Sequence, residues 1–390
     1  MGRDASSGCG REKDAFAADV PAGQPRSVRF SLSGLRATGS DSSMKSFGRI
    51  PCLGPGAVLL GWMLGALGAS AADGSESTHR TPLLSAMEAV MGPFPGPEKR
   101  CPLDVRIEEE VETNGVVRRQ ITYQSEPGSR VPAFLLIPRA ALSDGGGRRF
   151  PAVLALHQTH AAGRRVVVGL GNSPDDEYGM ELARRGYVVL APPYPHLADY
   201  APDLRGLGYA SGTLKAVWDN SRGLDVLSSL PYVRTNGFGC IGHSLGGHNG
   251  LFTAAFDPRI RIVVSSCGFD SFRDYYDGNP AVWAPGKGWC QDRYMPRLSA
   301  YQGRLGEIPF DFPQVLAAIS PRRVLVFAPV GDDNFRWRSV DRVATEALQI
   351  AAHRRVAADI RVEHPPGPHR FPPEYREQAY RQLDELLKAP

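Results

Sequence analysis

The stretch that decides the fold is Gly237-Phe-Gly-Cys-Ile-Gly242-His-Ser244-Leu-Gly246-Gly-His-Asn-Gly-Leu-Phe-Thr-Ala-Ala-Phe256. Its first six residues are compact and apolar, as in a strand buried on both faces, and its last twelve carry apolar residues at helical spacing. Between them stands Gly242-His243-Ser244-Leu245-Gly246, a G-x-S-x-G pattern. A strand that turns sharply into a helix lifts the serine hydroxyl clear of the sheet, and small flanking residues let the backbone fold that tightly. The pattern alone is common; the strand before it and the helix after it supply the context that the chemistry needs.

Outward from this point the chain keeps one rhythm. Pro151–Leu156, Gly186–Ala191, Gly237–Gly242, Ile260–Ser265, Arg323–Pro329 and Asp359–Glu363 read as buried strands. Helical spacing runs through Asp175–Arg185, Gly212–Leu230, Leu245–Phe256, Val340–His353 and Pro373–Lys388. Such alternation predicts a mostly parallel central sheet with helices on both faces. Ahead of it, Asp104–Val111, Val117–Gln124 and Val131–Ile137 are separated by Asn114-Gly115 and Pro127-Gly128, which predicts an antiparallel opening. About 55 residues separate the strand ending near Ser266 from the one beginning near Arg323. A linkage so far above the usual two to six residues reads as an insertion, 267–322, whose Trp283, Trp289 and Tyr294 suit a cap over a pocket.

The chain has 390 residues, 42% hydrophobic and 22% charged, with 43 Gly and 33 Pro. That is globular composition, and it excludes collagen, a coiled coil and a polytopic membrane protein. The formal charge is +4, but residues 1–43 carry six Lys/Arg against five acids, and residues 44–71 add Lys45 and Arg49 with no acid. Residues 72–390 are left at +1, so charge gives no case for a nucleic-acid partner.

From Met44 the chain runs through a basic stretch and an uncharged apolar run over Ala57–Leu67 to Ala69-Ser70-Ala71, the layout of a secretory signal peptide cleaved after Ala71. Pro51, Pro55 and five glycines from Gly54 to Gly68 argue against a retained spanning helix. Residues 1–43 are then read as a disordered upstream extension with translation starting at Met44, and 72–103 as an irregular segment ahead of one domain over 104–390. The expected location is secreted or periplasmic. Export permits disulfides among Cys101, Cys240, Cys267 and Cys290, although Cys240 and Cys267 lie in apolar segments that suit buried free thiols.

A serine needs a base, and the base an orienting acid, in the chain order Ser, Asp or Glu, His. The candidate base is His369, in the loop Pro365–Phe371, with His364 at a strand end and His353 inside a helix as alternatives. The candidate acid is Asp332, directly after the strand Arg323–Pro329, with Asp333 next to it and Asp270 a more distant choice. Oxyanion donors are expected from the backbone N–H groups of Leu245 and Thr159, with Gln158 as the alternative to Thr159. His157 and His160 have an H-x-x-H spacing but no third ligand, so the reading calls for no metal and no cofactor.

With these residues in hand, the chain resembles the α/β-hydrolase superfamily, and within it the dienelactone hydrolase and acetyl xylan esterase-like branch. The similarity covers Val131–Leu387, and beyond the elbow it rests on Ala183-Arg-Arg-Gly-Tyr-Val-Val-Leu-Ala-Pro-Pro193 and Trp218-Asp-Asn-Ser-Arg-Gly-Leu-Asp225. It implies Ser244 as nucleophile, Asp332 as acid and His369 as base, and makes 267–322 an insertion after the family's sixth strand. Dienelactone hydrolases use a cysteine nucleophile; Ser244 here turns the expectation toward carboxylic-ester hydrolysis, with a small-molecule or carbohydrate ester as substrate. The alternatives are a serine peptidase of related fold, for which 72–130 is too short to hold a screening propeller, and a catalytically silent binding protein on the same scaffold.

Overall fold

Runs that are apolar at consecutive positions have no wet face, and in the fold both their faces are covered. A computed structural model of the chain describes residues 26–31, 82–143, 147–171 and 173–389; the expected signal peptide and its cleavage site lie outside them. In chain order the strands are β1 (Arg26–Ser31), β2 (Arg106–Thr113), β3 (Val116–Glu126), β4 (Ser129–Pro138), β5 (Ala152–Leu156), β6 (Val188–Ala191), β7 (Phe238–His243), β8 (Ile260–Ser266), β9 (Arg323–Phe327) and β10 (Asp359–His364). The helices are α1 (82–91), α2 (Arg139–Ser143), α3 (Tyr178–Arg184), α4 (Gly212–Ser229), α5 (Leu245–Phe256), α6 (Phe312–Ile319), α7 (Trp337–His353) and α8 (Pro373–Leu387).

These strands form a single sheet in the order β1-β10-β9-β8-β7-β5-β6-β4-β3-β2. β5 to β10 run parallel, β2 to β4 form the antiparallel opening, and β4 joins β6 antiparallel. Helices α1, α4, α5, α6 and α7 bury their apolar residues on one face, α3 and α8 on the other. This is the α/β-hydrolase architecture. β5 lies between β6 and β7, so the winding reverses there and opens a crevice at the carboxyl ends of β5 and β7, where the chain must place any site.

Three segments depart from expectation. α1 lies in the stretch expected to be irregular, and buries Leu83, Met87, Val90 and Met91 at helical spacing. α6 lies inside the expected insertion 267–322, yet it packs against α5, α7 and β9 as the ordinary crossover helix. Its start is written in the chain: Asp311 and Gln314 form a reciprocal capping box. The irregular excursion is therefore 267–311, built from short 3-10 turns at Tyr275–Gly278, Pro280–Trp283, Gly288–Cys290, Pro296–Tyr301 and Leu305–Glu307. Finally, Arg26–Ser31, expected to lie outside the fold, pairs antiparallel with β10, with Val28 opposite Val362 and Phe30 opposite Ile360. The outer edge of β10 offers unpaired backbone groups, and a period-two run of β-formers suffices to take them up. The four cysteines of the described residues are free thiols, with Cys240, Cys267 and Cys290 buried.

Helix α4 carries the most charged part of the interior. Lys215 is fully buried, its Nζ 2.5 Å from Asp219 and 3.1 Å from Glu126, with Ser125 Oγ at 3.0 Å. Burial pushes the Asp219 carboxyl up and Lys215 pulls it back. Lys215→Met would leave the buried Asp219 carboxyl without its cation, while Glu126 keeps Lys99 at 2.9 Å, and the expected loss is about 3–5 kcal/mol of unfolding free energy in a urea titration. A loss below about 1 kcal/mol would show that the ion cluster does not hold α4 to β3.

Candidate active site

β7 ends at His243, and the next residue, Ser244, sits at φ +51°, ψ −121°, a backbone conformation that non-glycine residues rarely adopt. Two hydrogen bonds hold it there: Ser244 N–H donates to the Ser266 carbonyl at the end of β8 (2.7 Å), and the Ser244 carbonyl accepts from His248 N–H (3.0 Å), the first turn of α5. A Cβ at position 242 would run into the backbone of Gly246, and one at 246 into the carbonyl of Leu156 on β5. The two glycines of the pattern are thus required by contact.

The loop after β10 brings in His369. Its Nε2 accepts from the Ser244 hydroxyl at 2.9 Å, and its Nδ1–H donates to the Asp332 carboxylate at 2.9 and 3.0 Å. Asp332 follows β9, is 1% exposed at its side chain, and accepts from the N–H groups of Asn334 (2.8 Å) and Phe335 (3.0 Å). Burial alone would raise its carboxyl; the His369 hydrogen bond and charge, with the two amides, outweigh it and hold the group below the usual carboxylate range. The two loops are tied together, since Gly331 N–H donates to the Gly367 carbonyl at 3.0 Å.

The structure brings Ser244, Asp332 and His369 together and leaves the alternatives elsewhere. Asp333 is exposed. Asp270 is buried, accepts from Arg336 N–H at 3.2 Å, and is pushed up to about 8, chiefly by burial. His364 bonds Asp341 (2.7 Å) and the Ala328 carbonyl (2.9 Å), and His353 is exposed at the end of α7.

His157 fixes the loop after β5, which carries the Thr159 N–H. Its Nδ1–H donates to the Gln158 carbonyl (2.8 Å), and its Nε2 accepts from Tyr194 N–H (3.1 Å). Burial pushes it down to about 4, so it is neutral. In a trans peptide the C=O and N–H point opposite ways. With the Gln158 carbonyl turned to His157, the Thr159 N–H faces away from that ring. Thr159, Ser244 and Leu245 line one cavity of ≈ 120 Å3, walled by Tyr275, Trp289, Tyr294 and Phe335. Trp289 is on this wall, whereas Trp283 is buried behind it against Phe272.

Sequence reasoning gave no role to two further histidines. His243 packs 5.0 Å from the His369 ring and is pushed down to about 3 by burial and by His369. His248 stacks on Trp289, with ring centroids 4.3 Å apart. Their signal was present as G-H-S-L-G-G-H, but no spacing rule says which ring lies under which. Cys267 Sγ lies within 4.8 Å of donor atoms of Asp332 and His369. Burial and the nearby carboxylate push its thiol well up, so it stays protonated beside a carboxylate and an imidazole already bonded to each other.

A sequence profile of fungal glucuronyl esterases matches residues 203–354, taking in the elbow and Asp332 and stopping short of His369. A glucuronoyl esterase from Solibacter usitatus superposes with a TM-score of 0.63 at 18% identity, over 80% of this chain and 93% of the other. A glucuronoyl esterase from Teredinibacter turnerae gives 0.56 at 14% identity, over 79% and 84%. Acetyl xylan esterase 1 from a Thermoanaerobacterium species gives 0.51 at 18% identity, over 80% and 93%. An uncharacterised protein of Pseudomonas aeruginosa is 27% identical over 176 residues, 45% of this chain; the match spans 41% of that relative's length. At these identities the likeness to solved structures establishes the fold, that of the α/β-hydrolases.

Burial holds His157, His243 and His248 neutral, at about 4, 3 and 3 against 6.5 for a free histidine. Below pH 6.5 the unfolded chain takes up protons that the fold refuses, so their contribution is complete above pH 6.5 and falls as pH drops, through about 4 for His157 and about 3 for His243 and His248. The melting temperature is expected to fall across that window. In His248→Phe the slope should be shallower by about 1.4 kcal/mol per pH unit, one proton's worth; an unchanged slope would mean that His248 charges inside the fold.

Proposed function

We propose that this α/β-hydrolase is a serine carboxylic-ester hydrolase acting on carbohydrate esters, with Ser244 as nucleophile, His369 as base and Asp332 as the acid that orients it. The observation that carries the reading is the unbroken hydrogen-bond line from Ser244 Oγ through both nitrogens of His369 to a buried carboxylate. A serine hydroxyl is a poor nucleophile until a base takes its proton during attack.

In the first half-reaction Ser244 Oγ bonds to the ester carbonyl carbon while its proton moves to His369 Nε2. The backbone N–H groups of Leu245 and Thr159 receive the oxyanion. As the carbonyl reforms, the carbon–oxygen bond to the alcohol breaks and His369 returns the proton to the departing oxygen. In the second, water gives its proton to His369, its oxygen adds to the acyl carbon, and the bond to Ser244 breaks with the proton restored to Oγ. Asp332 stays ionised throughout, which its depressed carboxyl favours, and stabilises the imidazolium. The chain's own residues account for each proton.

The carbohydrate part of the reading is supported by the glucuronyl esterase profile and by the fold shared with acetyl xylan esterases. Export is supported by the stretch from Met44 to Ala71, and no helix among the described residues is long and apolar enough to cross a membrane. With translation from Met44 and cleavage after Ala71, β1 is absent from the mature chain and β10 becomes the edge of its sheet.

On a short-chain aryl ester, Ser244→Ala is expected to lose turnover by about 10⁶-fold and Asp332→Asn by about 10⁴-fold. Undiminished turnover in Ser244→Ala would end the assignment of Ser244 as nucleophile; no turnover by the wild type, together with no labelling by a fluorophosphonate, would leave a silent scaffold instead. N-terminal sequencing of the exported protein is expected to begin at Ala72; a start upstream of Met44 would refute the leader assignment.

A further inference from the structure

We propose that Arg376 is a positioning residue of the catalytic apparatus: its guanidinium sets the loop of His369 against the turn Pro174–Asp176, and through that turn against the loop that carries the Thr159 N–H. This rests on the serine-esterase reading and extends it to a residue on α8 that takes no part in the proton transfers.

The base needs support on two sides. On one, Gly331 N–H holds the Gly367 carbonyl and Asp332 holds His369 Nδ1. On the other, the chain runs from His369 through Arg370 and Phe371 into α8. A loop anchored at one end only would let the imidazole tilt about that anchor. The second anchor comes from α8 itself: Arg376 Nη1 donates to the Phe371 carbonyl at 2.7 Å, two residues from the base.

The guanidinium that makes this bond is fixed in its plane. Arg376 is 2% exposed, and its Nε and Nη2 grip the two carboxylate oxygens of Glu181 on α3 at 2.9 and 2.8 Å. Nη2 also donates to the Pro174 carbonyl at 3.1 Å. Because the fork is planar, the bidentate grip on Glu181 decides where the remaining donors point. The separation of two backbone carbonyls, one just after the base and one on the turn Pro174–Asp176, is therefore set by one rigid group. A lysine ammonium in its place is a point charge on a flexible stem and cannot hold these partners in one plane.

The turn carries the link onward. Asp175 pairs with Arg370, the neighbour of His369, and lies 3.7 Å from Arg376 Nη1. Asp176 bonds the Gln158 side chain, and Gln158 immediately precedes Thr159 in the loop after β5. Base and oxyanion loop are thus joined by a route that bypasses Ser244.

Ring packing passes the same constraint to the imidazole. Phe371 stacks 6.3 Å from His243 at 21°, and His243 lies 5.0 Å from the His369 ring. Phe371 and His243 are both buried, so a shift of the Phe371 backbone moves the floor on which the base rests. A misplacement of about 1 Å can cost a reaction about 10²-fold. Arg376 is not among the described residues on the cavity beside Ser244, so the loss falls on turnover and not on KM.

The experiment measures kcat, KM and the rate of labelling by a fluorophosphonate for the wild type, Arg376→Lys, Arg376→Ala and Glu181→Gln, with p-nitrophenyl acetate as substrate and melting temperatures in parallel. In Arg376→Lys, kcat and the labelling rate are expected to fall together by about tenfold to 10²-fold, with KM within about threefold of the wild type. Arg376→Ala should lose at least as much. Glu181→Gln keeps one acceptor for the fork and should lose less; it serves with Arg376→Lys should the Ala variant fail to fold. A wild-type kcat in folded Arg376→Lys, even at a lowered melting temperature, is what a purely structural contact would give. That result, or a rise in KM that accounts for the whole loss, overturns the positioning role and leaves the esterase reading standing. Absence of turnover by the wild type, with Ser244 unlabelled, instead sinks the esterase reading and the positioning role with it.

Discussion

Ser244 is held in a backbone conformation that costs about 1–3 kcal/mol, and three strands are arranged so that it cannot relax. β7 delivers it, β8 takes its N–H through the Ser266 carbonyl, and β5 presents the Leu156 carbonyl so near to Gly246 that no side chain fits between. The tight turn from β7 into α5 depends on that triple contact. It points the Ser244 hydroxyl toward His369 and starts α5 with the Leu245 N–H beside the same cavity. A strained residue persists only where its surroundings over-determine it, and here the surroundings are the middle of the sheet.

The other two members of the constellation come from loops, yet they are no less constrained. Gly331 and Gly367 join the loops after β9 and β10 by a backbone hydrogen bond, and a Cβ at Gly331 would meet the Gly367 carbonyl at 2.7 Å. Asp332 spends its carboxylate on one imidazole and two amides. His157 does comparable work across the crevice, joining the loop after β5 to Tyr194 after β6. Buried polar groups that are fully satisfied rigidify, and these sit around the Ser244 hydroxyl.

Much of this was legible in the chain. Strands β5 to β10 were readable because burial on both faces leaves continuous apolar runs, and the elbow was readable because its two glycines answer to local contact. Asp332 and His369 followed from chain order and from the position of each loop after its strand. Less visible was α6: eight residues with an excellent cap were overlooked inside a long aromatic stretch that looked like a cap domain throughout. β1 was invisible for another reason, since six residues with two β-formers pair only because an edge happens to be open beside them.

By itself, then, the sequence determined the parallel sheet, the turn that carries Ser244 and the chain order of its partners, since each depends on local pattern: apolar periodicity, glycine at points of contact, a loop after a strand. Which of two adjacent aspartates meets His369, which way the Gln158–Thr159 peptide plane faces, and that Trp289 and not Trp283 walls the cavity were decided only by the tertiary structure. Those are questions of side-chain and peptide direction between segments tens to hundreds of residues apart. Direction of that kind is set by packing and hydrogen bonding across the fold, and a one-dimensional pattern does not encode it.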